Sequence, residues 1–198
     1  MKIGLNKEII LKKAMEMADE RGVASVTIKA LATELGVKSP SLYKHVENLE
    51  ELMKELMRRG WEELSEEALK ASVGVAKEEA VRGIFHACRR YAKAHPGVFD
   101  AMQWYNMYYS EQDMMATEKI VSVLFQVLDG YDLIEEKKVH IVRIFRSFLQ
   151  GYLSIENHDG FGNPISVDQT FDFGLEIILN GILQLKGGAG NGELFEKY

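Results

Sequence analysis

The stretch Val26-Thr27-Ile28-Lys29-Ala30-Leu31-Ala32-Thr33-Glu34-Leu35-Gly36-Val37-Lys38-Ser39-Pro40-Ser41-Leu42-Tyr43-Lys44-His45-Val46 decides the fold. Thr27 is a good N-cap for a short helix that turns Ile28, Leu31, Ala32 and Leu35 inward and stops before Gly36. Ser39 is placed to cap a second short helix, with Pro40 at its first position, where the missing N–H costs nothing. Between them Leu35-Gly36-Val37-Lys38 makes the turn, and Gly36 allows the left-handed conformation there. Two short helices joined by a four-residue turn make a helix-turn-helix. On its second helix, Pro40–Val46, Leu42 and Val46 anchor, while Ser41, Tyr43, Lys44 and His45 face out. Hydroxyls and a lysine suit phosphate oxygens, and Tyr and His can touch backbone or base edges. Residues of these types also occur on small helical subdomains that bind nothing, so both readings stand at this level.

Working outward, residues 6–21 carry Ile10, Ala14, Met17 and Ala18 on one face of a helix that Gly22 ends. Asn48, with Glu51 three residues on, starts a long helix to about Ala71. Further helical spacing covers about 77–94, ended by His95-Pro96, then 97–108, 112–129 to Gly130, 135–156 and 168–186. The run 157–164 is a loop rich in turn formers, and 187–198, with four glycines in its first six residues, is a flexible tail. The expected fold is therefore all-α with about nine helices. A three-helix head occupies 1–47, a helical body 48–186, and the tail 187–198.

The 198 residues, 46% hydrophobic and 27% charged, suit a globular chain rather than a disordered one. The net charge of −6 divides into +3 over residues 1–46 and −9 over the rest, a mildly basic head on an acidic body. A single cysteine, Cys88, gives no disulfide framework, and no apolar run approaches the ~20 residues of a membrane span. A soluble protein of the cytosol, with no membrane partner, is the expectation.

The run Ile10…Ala14…Met17…Gly22…Val26-Thr27-Ile28…Leu31-Ala32…Gly36-Val37…Ser41-Leu42-Tyr43…His45…Leu52 resembles the DNA-binding domain of the TetR family of bacterial transcriptional regulators. The likeness covers roughly residues 5–56 and is densest from Gly36 to His45. It implies a homodimer that holds a palindromic double-stranded operator and is released by a small-molecule effector bound in a divergent helical body. It implies that Thr27 and Lys29 contact phosphates. Lys38 and the recognition surface of Ser39, Pro40, Ser41, Tyr43, Lys44 and His45 would meet the major groove. Two positions depart from the family pattern. Val46 stands where Phe is frequent, and Leu49 stands where a lysine is common, which removes one phosphate contact from the salt dependence. The pattern Ala92…His95-Pro96…Phe99 with Gly160-Phe161 is similar to one branch of the same family.

The densest apolar stretch of the body is 99–115, with nine aromatic or Met residues in seventeen. Such a cluster is either core around short helices or the wall of a pocket. As a pocket, Phe99, Met102, Trp104, Tyr105, Tyr108 and Met115 would contact an apolar, aromatic or cationic effector. The last two helices are apolar nearly all round, which means a thick monomeric core or a partner on the second side. The homodimer reading places Phe145, Phe148, Leu149, Tyr152, Phe171, Leu175, Ile178 and Ile182 at the interface. It also assigns Gly151, Gly174 and Gly181 to close helix approach.

Catalytic chemistry finds no foothold. The five histidines show no metal-ligand spacing, Cys88 sits mid-helix with no base beside it, and there is neither a phosphate loop nor a nucleophile elbow. No enzyme, metal or cofactor is expected. Two other readings stay open: a constitutive DNA-binding dimer without an effector, and a protein-interaction module that keeps the helix-turn-helix shape.

Overall fold

The computed structural model describes residues 4–103 and 111–186. Over these the chain forms α1 (Lys7–Arg21), a 3-10 turn (Val23–Ser25), α2 (Ile28–Glu34), α3 (Ser39–Leu42), α4 (Leu49–Ser72) and α5 (Lys77–Ala94). Then come α6 (Pro96–Met102), α7 (Glu111–Asp129), α8 (Glu135–Asn157) and α9 (Val167–Lys186). The architecture is all-α, as the helical spacing predicts. No described helix is long and apolar enough to cross a membrane.

Local chemistry sets the ends. Asn6, Thr27 and Asn48 each accept, through the side-chain oxygen, a backbone N–H three residues on: Ile9 at 2.9 Å, Ala30 at 3.1 Å and Glu51 at 2.8 Å. Gly36 has φ +65°, the left-handed turn that ends the first helix of the pair. The second helix differs from expectation. Ser39 is its first residue, Lys38 takes the cap position without a side-chain bond, and Pro40 comes second. Regular helix ends at Leu42, and a tighter turn continues it, with the Leu42 carbonyl accepting from both His45 (2.9 Å) and Val46 (3.0 Å).

Head and body share one apolar core. Ile10, Ala14 and Met17 of α1 meet Leu31, Leu42 and Val46, and the same cluster runs on through Leu52 and Leu56 of α4 into the body. At 24 residues, α4 is about 36 Å long and packs against α1, α5, α6 and α7. Beneath it, the rings of Phe85 and Phe145 meet edge to face at 4.9 Å, and Phe171 closes the group. An ion cluster around the buried Arg89–Glu156 pair ties three helices together. Arg89 of α5 holds Glu156 of α8 through two bonds (2.9 and 2.5 Å) and Asp168 of α9 through a third (2.6 Å), with its guanidinium 4.8 Å from the Phe171 ring centre.

The structure reassigns the faces of α8 and α9. Phe145, Tyr152, Phe171, Leu175 and Ile182, expected at a partner interface, are buried inside the single chain. Phe148, Leu149 and Ile178 are half-buried. The apolar residues left exposed are Ile144 and Ile155 on α8, and Phe173, Ile177 and Leu183 on α9. Gly174 answers to its own chain, because a Cβ there would lie 2.6 Å from the Phe148 ring, whereas Gly151 and Gly181 face open space. Both helices are apolar all round, so spacing alone leaves the direction of the core undetermined.

Candidate nucleic-acid interface and body cavity

The head presents one polar face. Leu42 and Val46 are buried and pin α3. Pro40, Tyr43, Lys44 and His45 are exposed beside it, Ser39 and Ser41 are half-buried, and Thr27, Lys29 and Lys38 are exposed at the adjoining end of α2 and in the turn. Tyr43 is 54% exposed, far more than a tyrosine with an apolar role would be. Charge pairing occupies most of the described cations elsewhere in the head, with Lys12 the exception. Lys7 is tied to Glu55, Lys13 to Glu16 and Arg21 to Glu34. Among the described residues, no carboxylate lies within ion-pair distance of Lys29, Lys38 or Lys44. Three cations, three hydroxyls, a phenol and an imidazole are thus offered together on a helix-turn-helix, the donor set that phosphates and base edges require. The Thr27 oxygen is already taken as a cap acceptor, which leaves its O–H to donate. Leu49 packs on the core at the start of α4.

Below the head an apolar cavity of about 100 Å³ opens among α4, α5, α6, α7 and α8. Its wall includes Trp61 and Leu64 from α4, Phe99 and Gln103 at α6, Leu124 from α7, and Val142, Arg146 and Leu149 from α8. Of the residues expected to contact an effector, Phe99 lines it. Met102 is buried against Gly60 instead, and Met115, 61% exposed, lies off the wall. Trp104, Tyr105 and Tyr108 fall outside the described residues. Cys88 also lines the cavity, and its burial pushes the thiol up to about 12, so it is a small apolar surface rather than a nucleophile. No Asp or Glu lines the cavity among the described residues. Nor could any group of three or more described His, Cys, Asp or Glu residues hold a metal ion.

Short α6 connects cavity and head. At one end Phe99 and Gln103 face the cavity. At the other, the Asp19 carboxylate of α1 accepts the Val98 N–H at 2.9 Å and lies 2.9 Å from His95 Nδ1. Between them Gly97 packs directly on the Ala18 carbonyl.

Residues 10–56, the head with its helix-turn-helix, match the family described as "Bacterial regulatory proteins, tetR family". Residues 81–178 match the family described as "Tetracyclin repressor-like, C-terminal domain". The chain belongs to the TetR family. An HTH-type transcriptional regulator of Mycobacterium tuberculosis, Rv0681, is 32% identical over 168 residues, covering 84% of this chain and 77% of the other. Two solved structures share the fold. BioQ with its natural double-stranded DNA operator has a TM-score of 0.70 at 22% identity, covering 91% of this chain and 99% of that one. A TetR variant from Acinetobacter baumannii in complex with minocycline has a TM-score of 0.73 at 19% identity, covering 92% and 99%.

This TetR-family chain is thus a DNA-binding transcriptional regulator, like the relative it matches over most of its length. Most of its cavity is hidden in the sequence. Val142, Leu149 and Leu124 look like ordinary helical core positions, and only the folded arrangement brings them to one wall. Gln103, a polar residue amid Phe99, Met102, Trp104 and Tyr105, carries a signal that hydropathy spacing passes over.

Proposed function

We propose that this TetR-family regulator is a ligand-responsive repressor that holds a palindromic operator as a homodimer and lets go when a small molecule enters the body cavity. The observation that carries the reading is the shared wall. Trp61 and Leu64 on α4, with Phe99 and Gln103 at α6, line the cavity, and both helices also pack on α1 of the head. A ligand that separates the cavity walls therefore acts on the two elements that set the head's position. For release, the ligand must prefer the displaced state, and operator and ligand then weaken each other by the same factor. In the homodimer, two recognition surfaces would sit ~34–36 Å apart on successive major grooves.

The partner face consists of Ile144, Phe148, Gly151 and Ile155 on α8, with Ile177, Ile178, Gly181 and Leu185 on α9. These positions follow helical spacing along the outer side of the pair. The open space at Gly151 and Gly181 suits close approach of a second copy. The division into a head at 1–47, a body at 48–186 and a tail from 187 is part of the same proposal, and the cytoplasm is where such a regulator acts.

The test is selection of duplexes from a random pool by the full chain at about 150 mM salt. Enrichment of a two-fold palindrome, followed by its release on addition of a cavity-binding compound and loss of that release in Val142→Phe, is the expected result. A pool that stays random ends the regulator reading. Release that persists in Val142→Phe moves the effector elsewhere. A palindrome that no compound releases supports the constitutive binder instead, although the open cavity favours an effector.

A further inference from the structure

Two residues of the cavity wall, Trp61 and Gln103, each bury a polar atom, Nε1 and Oε1, that has no hydrogen-bond partner among the described residues. One is a donor and the other an acceptor. The Gln103 amide is fixed the right way round, because its nitrogen donates to the Phe99 carbonyl at 3.1 Å and leaves the oxygen over. Buried polar groups are normally paired, and an unpaired one is unfavourable until something pairs it. The rest of the wall is apolar, built from residues such as Leu64, Leu124 and Val142.

Charge narrows the class further. Among the described lining residues Arg146 is the only charged one, and it is exposed. A cation would find no carboxylate among the described lining residues, and a carboxylate buried beside Trp61 and Gln103 would lose its hydration. Size sets a further bound. The cavity measures about 100 Å³, whereas a dry apolar cavity of about 150 Å³ is known to take up benzene. The smaller space here limits a ligand to about a single ring.

We propose that the cavity selects an uncharged, ring-sized molecule carrying a group that both accepts and donates a hydrogen bond, the chemistry of a phenol. The group accepts from Trp61 Nε1–H or donates to Gln103 Oε1. Both atoms are out of solvent's reach in the resting cavity, so pairing with them parts the side chains above them. That displacement falls on α4 and α6, the helices that pack on the head. This inference rests on the effector-cavity reading above and specifies its ligand.

The test is calorimetric titration of the full chain with four probes of one shape: phenol, toluene, benzoate and phenyltrimethylammonium. Phenol is expected to bind about three- to tenfold more tightly than toluene, the ratio one hydrogen bond supplies. Both ions should bind more weakly than phenol. In Trp61→Phe and in Gln103→Met the phenol-to-toluene ratio should fall below the wild-type ratio, a comparison internal to each protein and so insensitive to partial loss of fold. Toluene binding as tightly as phenol, an ion binding tightest, or none of the four binding overturns the proposal. Each of those outcomes leaves the effector reading to the Val142→Phe release experiment, which can succeed or fail independently.

Discussion

Gly97 lies so close to the backbone of Ala18 that a Cβ on it would stand 1.9 Å from the Ala18 carbonyl oxygen. Both partners are main chain, so neither can swing aside. The contact joins α6 to α1 with no side chain between them, and the Asp19 carboxylate beside it holds the start of α6 by the Val98 N–H. A movement at either helix is passed to the other through this seam.

Replacing Gly97 with Ala is therefore expected to force the two helices apart, at a cost of about 2 kcal/mol. Urea unfolding of Gly97→Ala should show a lowered midpoint. Gly162→Ala, where the added Cβ meets nothing within 4 Å, should stay within about 0.5 kcal/mol of wild type. Equal stability of the two variants would remove the seam from the account.

The cluster around the buried Arg89–Glu156 pair gives a pH signature. The Arg89 guanidinium, helped by Lys93 and opposed by burial, holds the Glu156 carboxyl below the usual carboxylate range. A group depressed on folding contributes stability that is fully present above its unfolded value, about 4.3, and is lost as pH falls through the lower folded value. Glu156→Gln should lose about 3 kcal/mol near neutrality, because Arg89 stays buried with only Asp168 to hold it. The gap between variant and wild type should close at acid pH. Unfolding curves taken from about pH 7 to about pH 2 will show this; a gap independent of pH would mean that Glu156 acts by packing alone.

On the head, Lys44 and Tyr43 should separate charge from recognition. Lys44→Ala, which takes one cation per chain away from the phosphates, is expected to flatten the dependence of log affinity on log salt by about 0.9 for each phosphate no longer neutralised. Tyr43→Ala should lower affinity for the selected palindrome by about tenfold and leave that slope in place. Binding measured across a salt series decides both, and a changed slope in Tyr43→Ala would recast the phenol as a phosphate ligand.

The outer face of α8 and α9 should control assembly. Ile144→Glu and Ile177→Glu, at positions 53% and 58% exposed in the single chain, are each expected to turn a two-chain species into a one-chain species in sedimentation. Wild-type protein that sediments as one chain would end the dimer reading.

Much of this molecule can be read directly from its residues. Asn48 and Thr27 announce helix starts because their side chains replace a missing backbone acceptor, and Gly22, Pro96 and Gly130 fall where helices stop or begin for reasons of backbone geometry alone. The head's exposed face follows from Leu42 and Val46 pointing the other way. The orientation of α8 and α9 does not, because Phe145 and Ile144 are equally apolar neighbours and only the packing of Phe85 and Phe171 turns one in and the other out. His95-Pro96 reads as a helix stop and is one, yet its contact with Asp19 spans 76 positions that no local pattern connects. The cavity is legible only through Phe99, since the rest of its wall gathers from helices far apart in sequence.

The seam between α1 and α6 has a consequence for hybrid regulators. A new sequence specificity is most simply grafted by cutting between residues 47 and 48 and joining a foreign head to this body. Such a graft would set another protein's first helix against a surface shaped to one carbonyl, with Asp19 missing or misplaced opposite His95. The transferable unit is instead the head together with a matched α6. Chimeras that exchange both should keep their switching, and those that exchange the head alone should bind DNA and ignore the ligand.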